Sequence, residues 1–304
     1  MPRKRRTRSM SNRASQANKI SNVDIIGAWD GAAEEFASFF AENNEFYHTH
    51  IINPCLMDLV GETTGKTVLD LGCGEGHLAR QLVDMTSRNI RIIAVDASAK
   101  MIQIAKKSAD YADCVTFQQA DAGDLAKFES DSFDIAICNM ALMDIKNYRQ
   151  AIQEVSRTLK PGGVFVFSIL HPCFFTPGSE WLRDQGGRIS AWKVDNYHLG
   201  LAWKSTVKSG MKKKTYCFHR TLEDYCAVLG ECGFAIVGIR EPIPSKKLLE
   251  IRPTVSSELI RGGFLVVKSR LTRDRVGEQG YRTKECIAAS FFAGESRRYA
   301  GAHI

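Results

Sequence analysis

Val68-Leu69-Asp70-Leu71-Gly72-Cys73-Gly74-Glu75-Gly76-His77-Leu78 decides how the rest of the chain is read. Thr67 to Leu71 is a short apolar and β-branched run between Gly65 and Gly72, so it reads as a strand. The chain then breaks into glycines at alternate positions. Glycine permits the positive φ angles of a tight turn and lets a ligand come close to the backbone. Leu78, Leu82 and Val83 follow at helical spacing, so a helix begins where the turn ends. A strand, a glycine-rich turn and a helix N-terminus make a cradle for a nucleotide-sized ligand.

The spacing narrows the ligand. A dinucleotide fingerprint reads G-x-G-x-x-G and sets a pyrophosphate on the helix N-terminus. This chain has G-x-G-x-G, with Asp70 two residues before the first glycine. A carboxylate in the cradle repels a pyrophosphate and suits a ligand with a cationic amino-acid end. A dehydrogenase is therefore the most distant reading. Ile92-Ile93-Ala94-Val95-Asp96 is a second apolar strand ending in an acid, where ribose hydroxyls are read. Strands are expected near 67–71, 91–95, 114–118, 133–138 and 163–169, with helices between them. That alternation implies a parallel sheet with right-handed crossovers. Ligands of such sheets sit beyond the carboxyl ends of the strands. Gly72–Gly76, Asp96, Asp121, Asn139 and His171 fall on that rim.

Val68 to Leu78, Val95-Asp96-Ala97-Ser98, Ala120-Asp121-Ala122, Phe133 to Ile137 and Leu159-Lys160-Pro161-Gly162-Gly163 stand in a telling order. Over residues 64–170, and more weakly to 268, the chain resembles the class I S-adenosylmethionine-dependent methyltransferases. The resemblance implies an α/β, Rossmann-like seven-stranded, mostly parallel sheet of order 3-2-1-4-5-7-6, with strand 7 antiparallel. It implies S-adenosyl-L-methionine as cofactor. Gly72, Gly74 and Gly76, with Cys73 among them, would approach its amino-acid part, and Asp70 would help bind the ammonium. Asp96 would read the ribose, Ala97 and Met101 flank the adenine, and Asp121 accept from the adenine amino group beside the Ala122 amide. Met101 serves equally well as helix core. Asn139 would line the methyl-donor end, with Met140 in contact or in core. The Asn/Asp-Pro-Pro-aromatic motif of DNA amino-methylases is absent after strand four, where Cys138-Asn139-Met140-Ala141-Leu142-Met143-Asp144 stands instead. The stretch resembles the small-molecule methyltransferases of the "type 11" group.

The acceptor side is read from the residues alone. Residues 24–42 place Ile25, Trp29, Ala32, Ala33, Phe36, Phe39 and Phe40 on one helical stripe, an N-terminal lid helix. Trp29 is a substrate candidate there, as is Tyr47 in Tyr47-His48-Thr49-His50. Two histidines at i and i+2 share no helix face and have no carboxylate partner, so no metal is expected. A helix from Pro54 to Val60 follows, with proline at a first-turn position. His171 sits where a general base is useful, and it equally suits a histidine that orients the following insertion. Residues 171–220 form that insertion, an aromatic and basic lid in which Trp181 and Tyr197 are substrate candidates. Thr221 caps a helix with acids in its first turn, 234–240 and 264–268 are the last strands, and 245–262 is a loop near the rim.

Charge is localised. The net +7 divides into +6 in residues 1–13, +6 in 171–220 (nine basic, three acidic), +3 in 269–304 (seven basic, four acidic), and 7 − 15 = −8 elsewhere. Three segments follow: a basic leader over 1–19, a catalytic domain over 20–268 and a C-terminal extension over 269–304. No apolar run reaches a membrane span, no signal-type apolar segment follows the basic start, and the nine cysteines lack zinc spacing, so a reducing cytoplasm is expected. The expected reaction is methyl transfer to O or N of a small molecule, acidic or aromatic acceptors and a biosynthetic setting being in view. Two alternatives keep the cofactor: an RNA methyltransferase using the basic arm and lid, and a non-catalytic S-adenosylmethionine-binding protein. Oligomeric state is not legible.

Overall fold

In the computed structural model, strand follows helix in the order that the apolar runs demand; the structure describes residues 19–43, 46–206 and 210–272. The helices are α1 (Asn22–Asn43), α2 (Asn53–Val60), α3 (His77–Met85), α4 (Ala99–Ala105), α5 (Tyr148–Thr158), α6 (Leu222–Glu231) and α7 (Lys246–Ile251). The main sheet contains β1 (Thr67–Leu71), β2 (Arg91–Asp96), β3 (Val115–Gln119), β4 (Phe133–Asn139), β5 (Leu159–Leu170), β10 (Phe234–Arg240) and β11 (Phe264–Leu271). Its order, β10-β11-β5-β4-β1-β2-β3, is the 3-2-1-4-5-7-6 order expected, and the strand that enters between β10 and β5 runs antiparallel to both.

Period-two alternation makes the two core layers. Leu69, Leu71, Ala136, Cys138, Phe165, Phe167 and Ile169 face one side, against α5 and α6. Val68, Ile135, Ile137, Val164 and Val166 face the other, against α2, α3 and α4. Phe165 and Phe167 are fully buried; truncating either to Ala costs about 3–5 kcal/mol. β5 starts earlier than its apolar run suggests. Leu159 pairs with Phe133 before Lys160-Pro161-Gly162-Gly163 bulges out, and pairing resumes at Val164.

The insertion folds as two hairpins, β6 (Glu180–Arg183) with β7 (Ile189–Lys193), and β8 (Ala202–Ser205) with β9 (Thr215–Phe218). Thr221 caps α6 as expected: its hydroxyl accepts from Asp224 N, and the Asp224 carboxylate accepts from Thr221 N. A second element departs from expectation. Residues 245–262 are not a plain loop but hold α7 and a 3₁₀ helix, Pro253–Leu259. Ser245 nucleates α7 by accepting from Leu248 N at 3.2 Å. The run is only six residues long, too short to show a period. The basic leader (except Lys19), residues 207–209 and residues 273–304 lie outside the described residues. Among the described residues, no helix is long and apolar enough to cross a membrane.

Candidate functional site

The glycine turn closes over the ends of two strands. Gly72 and Cys73 both donate to Val95 O, at 2.8 and 3.0 Å. Gly74 donates to Asp96 Oδ2 at 2.9 Å, and Ser98 N to Asp96 Oδ1 at 2.8 Å. Asp96 therefore binds the loop from β1 to the helix that follows β2, and each of its oxygens retains a lone pair for a ligand. Burial pushes its carboxyl up, and the two N–H groups oppose that shift. The left-handed glycines differ in purpose. At Gly72 (φ +73°) a Cβ would stand 2.5 Å from Ala141 Cβ, whereas at Gly74 (φ +56°) it would meet nothing within 4 Å. Gly72 is thus required by packing, and Gly74 leaves its face of the loop open.

Asp70 lies buried beneath the turn, its Oδ2 without a hydrogen-bond partner. Burial, with the negative charges of Asp96 and Glu75, pushes its carboxyl up to about 7. Glu75 is also desolvated, yet His77 and Arg80 hold it below the ordinary carboxylate value. Asp121 caps its own turn by accepting from Gly123 N at 2.8 Å, and its other oxygen takes Asn22 Nδ2 at 2.9 Å. Asn139 joins Asn53 (2.9 Å) to Ser168 Oγ (2.6 Å) across the strand ends. Met140 sits at φ +55°, an uncommon conformation for a side-chain-bearing residue, at the point where β4 turns into the rim.

These residues border one cavity of about 560 Å³. Gly72, Cys73, Gly74, Asp96, Ala97, Met101, Asp121, Ala122, Asn139 and Met140 line it, as do Trp29 and Tyr47. Helix α1 bars one side. Asp30 accepts from Ser98 Oγ (2.6 Å) and Lys100 N (3.1 Å), and the Glu35 carboxylate takes Lys212 N (2.7 Å) and Lys213 N (2.9 Å).

Five expected site residues do not reach the cavity wall. Asp70 lies under the loop, and Gly76 holds the α3 N-terminus at φ +87°, where a Cβ would strike the Phe117 ring at 2.6 Å. His171 is 3% exposed and points away, its Nε2 2.7 Å from Glu241 Oε1 and its Nδ1 accepting from Cys173 N at 3.2 Å. Burial lowers its pKa against the pull of Glu241. His171 so placed joins the start of the insertion to Glu241, just past β10, and is not on the cavity wall. Tyr197 accepts from Leu222 N at 3.1 Å at the foot of the lid. Trp181 is off the wall and packs on Arg261, whose guanidinium carbon lies 4.9 Å from its ring centre.

Other residues on the wall are not among those expected at the site: Asp144, Phe175, Trp203, Glu258, Arg261 and Phe264. Burial pushes the Asp144 carboxyl up to about 8, with Arg220 and Cys217 opposing. The Arg220 guanidinium donates to Leu142 O (3.1 Å), Ile145 O (2.5 Å) and Lys146 O (3.1 Å), clamping the turn that carries Asp144. Among the described residues, no cluster of His, Cys, Asp and Glu has the makings of a metal site.

The donor set fits an adenosyl-sulfonium amino acid. An open glycine face, a ribose-type acid with spare lone pairs and an unpartnered buried carboxylate oxygen suit hydroxyls and a cation, not a pyrophosphate.

Comparison with known proteins agrees. The model of a methyltransferase domain matches residues 62–192. The ubiquinone biosynthesis O-methyltransferase of Ralstonia nicotianae is 30% identical over 149 residues, which is 46% of this chain and 61% of that protein. The demethylmenaquinone methyltransferase of Leptospira interrogans is 31% identical over 138 residues, 44% of this chain and 55% of that one. The chain thus spans less than two thirds of the length of these curated relatives. The solved S-adenosylmethionine dependent methyltransferase of Mesorhizobium loti is 31% identical, covering 71% of this chain and 96% of its own, with a TM-score of 0.62.

Proposed function

The chain belongs to the S-adenosylmethionine-dependent methyltransferases, and from that premise we propose that it methylates an oxygen or nitrogen of a small, planar molecule. One observation carries the reading: the cavity runs without interruption from the glycine turn to an aromatic wall of Trp29, Tyr47, Phe175, Trp203 and Phe264. About 560 Å³ is within the range of small-molecule sites. Among the curated relatives, two named above act in ubiquinone biosynthesis and on demethylmenaquinone, which favours a planar acceptor and a biosynthetic setting.

When bound, S-adenosylmethionine supplies an electrophilic methyl group. The chain's own residues bind, orient and exclude water. Asp96 would hold the ribose hydroxyls, Asp121 and the Ala122 amide would face the adenine, and Asp70 would lie beneath the amino-acid end. A hydroxyl acceptor must also lose a proton. We assign that proton to the Asp144 carboxylate, because it lines the cavity and its raised pKa lies near working pH. Free thiols, eight of them among the described residues, favour a cytoplasmic setting.

The test is release of S-adenosylhomocysteine by the full chain over a panel of phenols, catechols, aromatic acids and aryl amines, with RNA as a further arm. Turnover on at least one aromatic compound and none on RNA is expected. Turnover on RNA alone, or on nothing despite cofactor binding, overturns the acceptor assignment.

A further inference from the structure

Glu258 and Arg261, on the stretch that leads into β11, line the cavity and pair through Oε1 and Nη2 at 3.2 Å. Three rings of the insertion enclose the guanidinium. Its carbon lies 4.3 Å from the Phe175 centroid, 4.3 Å from Trp192 and 4.9 Å from Trp181. The cage is itself fixed, since Trp192 Nε1 donates to Phe174 O at 2.8 Å and Trp181 packs edge-on to Trp192. Aromatic rings satisfy the faces of a guanidinium and leave its N–H edges to find acceptors. Here the edges are under-satisfied. Among the described residues only Nη2 makes a hydrogen bond, and Nε is buried without one. Glu258 is 6% exposed, and its Oε2 has no partner either. A Cβ at Gly263 would stand 2.4 Å from that oxygen, so a side chain there would make the Glu258 carboxylate shift. Holding a guanidinium this deep with unpaired donors costs free energy that a ligand with acceptor oxygens would recover.

We propose that Arg261, held by Phe175, Trp181, Trp192 and Glu258, anchors a carboxylate on the methyl acceptor, making the substrates small aromatic or conjugated acids. The inference rests on the methyltransferase reading above and names the acceptor class of that site. A carboxylate offers two coplanar oxygens, the shape that a guanidinium fork matches. The neighbouring wall of Tyr47, Leu170 and Phe264 is apolar and suits a flat ring. The insertion carries nine basic and three acidic residues, a net +6, which favours approach of an anion. Glu258 orients the fork through Nη2, while its own charge tempers the attraction. Its neutral isostere therefore strengthens acid binding, and this sign separates the proposal from its converse, an amine read by Glu258.

The test is calorimetry on the full chain saturated with S-adenosylhomocysteine. The probes are 4-hydroxybenzoate, 3,4-dihydroxybenzoate and 4-hydroxycinnamate, each against its primary amide, with tyramine as the cationic arm. At least one acid is expected to bind about tenfold more tightly than its amide. Arg261→Met removes that preference with S-adenosylhomocysteine affinity within about twofold, and Glu258→Gln increases it about threefold. The proposal is overturned if no acid outbinds its amide, whether both bind or neither does. It is equally overturned if Glu258→Gln weakens the acids, or if tyramine is the probe preferred. Failure of S-adenosylhomocysteine to bind the wild type would instead sink the methyltransferase reading, so the two failures are distinct.

Discussion

The two halves of the cavity are built by different means. The cofactor half comes from backbone: glycines in left-handed turns, amides aimed at Asp96, and strand ends in register. Its residues fall between Asp70 and Met140. The acceptor half comes from side chains gathered across the chain, from Trp29 to Phe264, and is held by long-range bonds such as Glu35 to Lys212 N. A backbone cradle fails through single atoms that have no room. A side-chain wall should fail gradually, and in acceptor binding before stability.

The largest effect is expected in the loop itself. Gly72→Ala combines left-handed strain with a 2.5 Å collision and should cost about 2–4 kcal/mol in urea unfolding. Gly74→Ala meets open space, so it should cost only about 1–2 kcal/mol while weakening S-adenosylhomocysteine at least about tenfold. Equal destabilisation by both would contradict the distinct purposes given to these glycines.

Asp144→Asn comes next and addresses the acceptor half. For a hydroxyl acceptor, the wild-type rate should rise with pH up to about 8 as the carboxyl deprotonates. The variant should lose that rise and about a hundredfold in rate, with cofactor affinity unchanged. A variant with an intact pH profile removes Asp144 as the base.

Asp70, buried beneath the glycine turn, should move stability and cofactor affinity in opposite directions. Its folded pKa of about 7 exceeds the ordinary 3.8, so the ligand-free fold binds a proton that the unfolded chain has released. Wild-type stability should therefore fall as pH rises toward 7, and the Asp144 carboxyl, pushed up to about 8, should carry a further fall to about pH 8. Affinity for S-adenosylhomocysteine, whose ammonium prefers a carboxylate, should instead rise by about tenfold from pH 6 to 8. Asp70→Asn should flatten the affinity curve and make the fall in stability shallower, leaving the part due to Asp144. A wild-type affinity that is flat across this range would separate Asp70 from the ammonium.

Smaller effects belong to the lid. Trp181→Ala removes one wall of the Arg261 cage and should raise acceptor KM about threefold to tenfold, with kcat and cofactor affinity nearly constant. Lys213→Ala should do nothing measurable to either half, because it is the backbone N–H of Lys213 that reaches Glu35. A loss of activity there would show that the side chain contacts the acceptor.

The same division explains what was legible beforehand. Asp96, Asp121 and the glycine turn stand in short stretches whose spacing is dictated by strand, turn and helix, so the parallel sheet and the cofactor rim could be read from residues in sequence, while the seven-stranded order came from the family resemblance that those stretches carry. His171 shows the limit. Its place at the end of β5 is as expected, yet the ring rotates toward Glu241, seventy residues away, and nothing local encodes that choice. Arg261 and Glu258 stood within a stretch too short and irregular for a helical period, and their partners come from the insertion. The aromatic character of that insertion was visible, but which rings would face the cavity was not: Trp203 does, while Trp181 serves Arg261 from behind.

Titration of the full chain with S-adenosylmethionine, S-adenosylhomocysteine and NAD, beside an Asp96→Ala variant, tests the central claim most directly. The account predicts roughly micromolar binding of both sulfur ligands, none of NAD, and loss of binding in the variant. Binding of NAD, or sulfur-ligand affinity undiminished in Asp96→Ala, would contradict it.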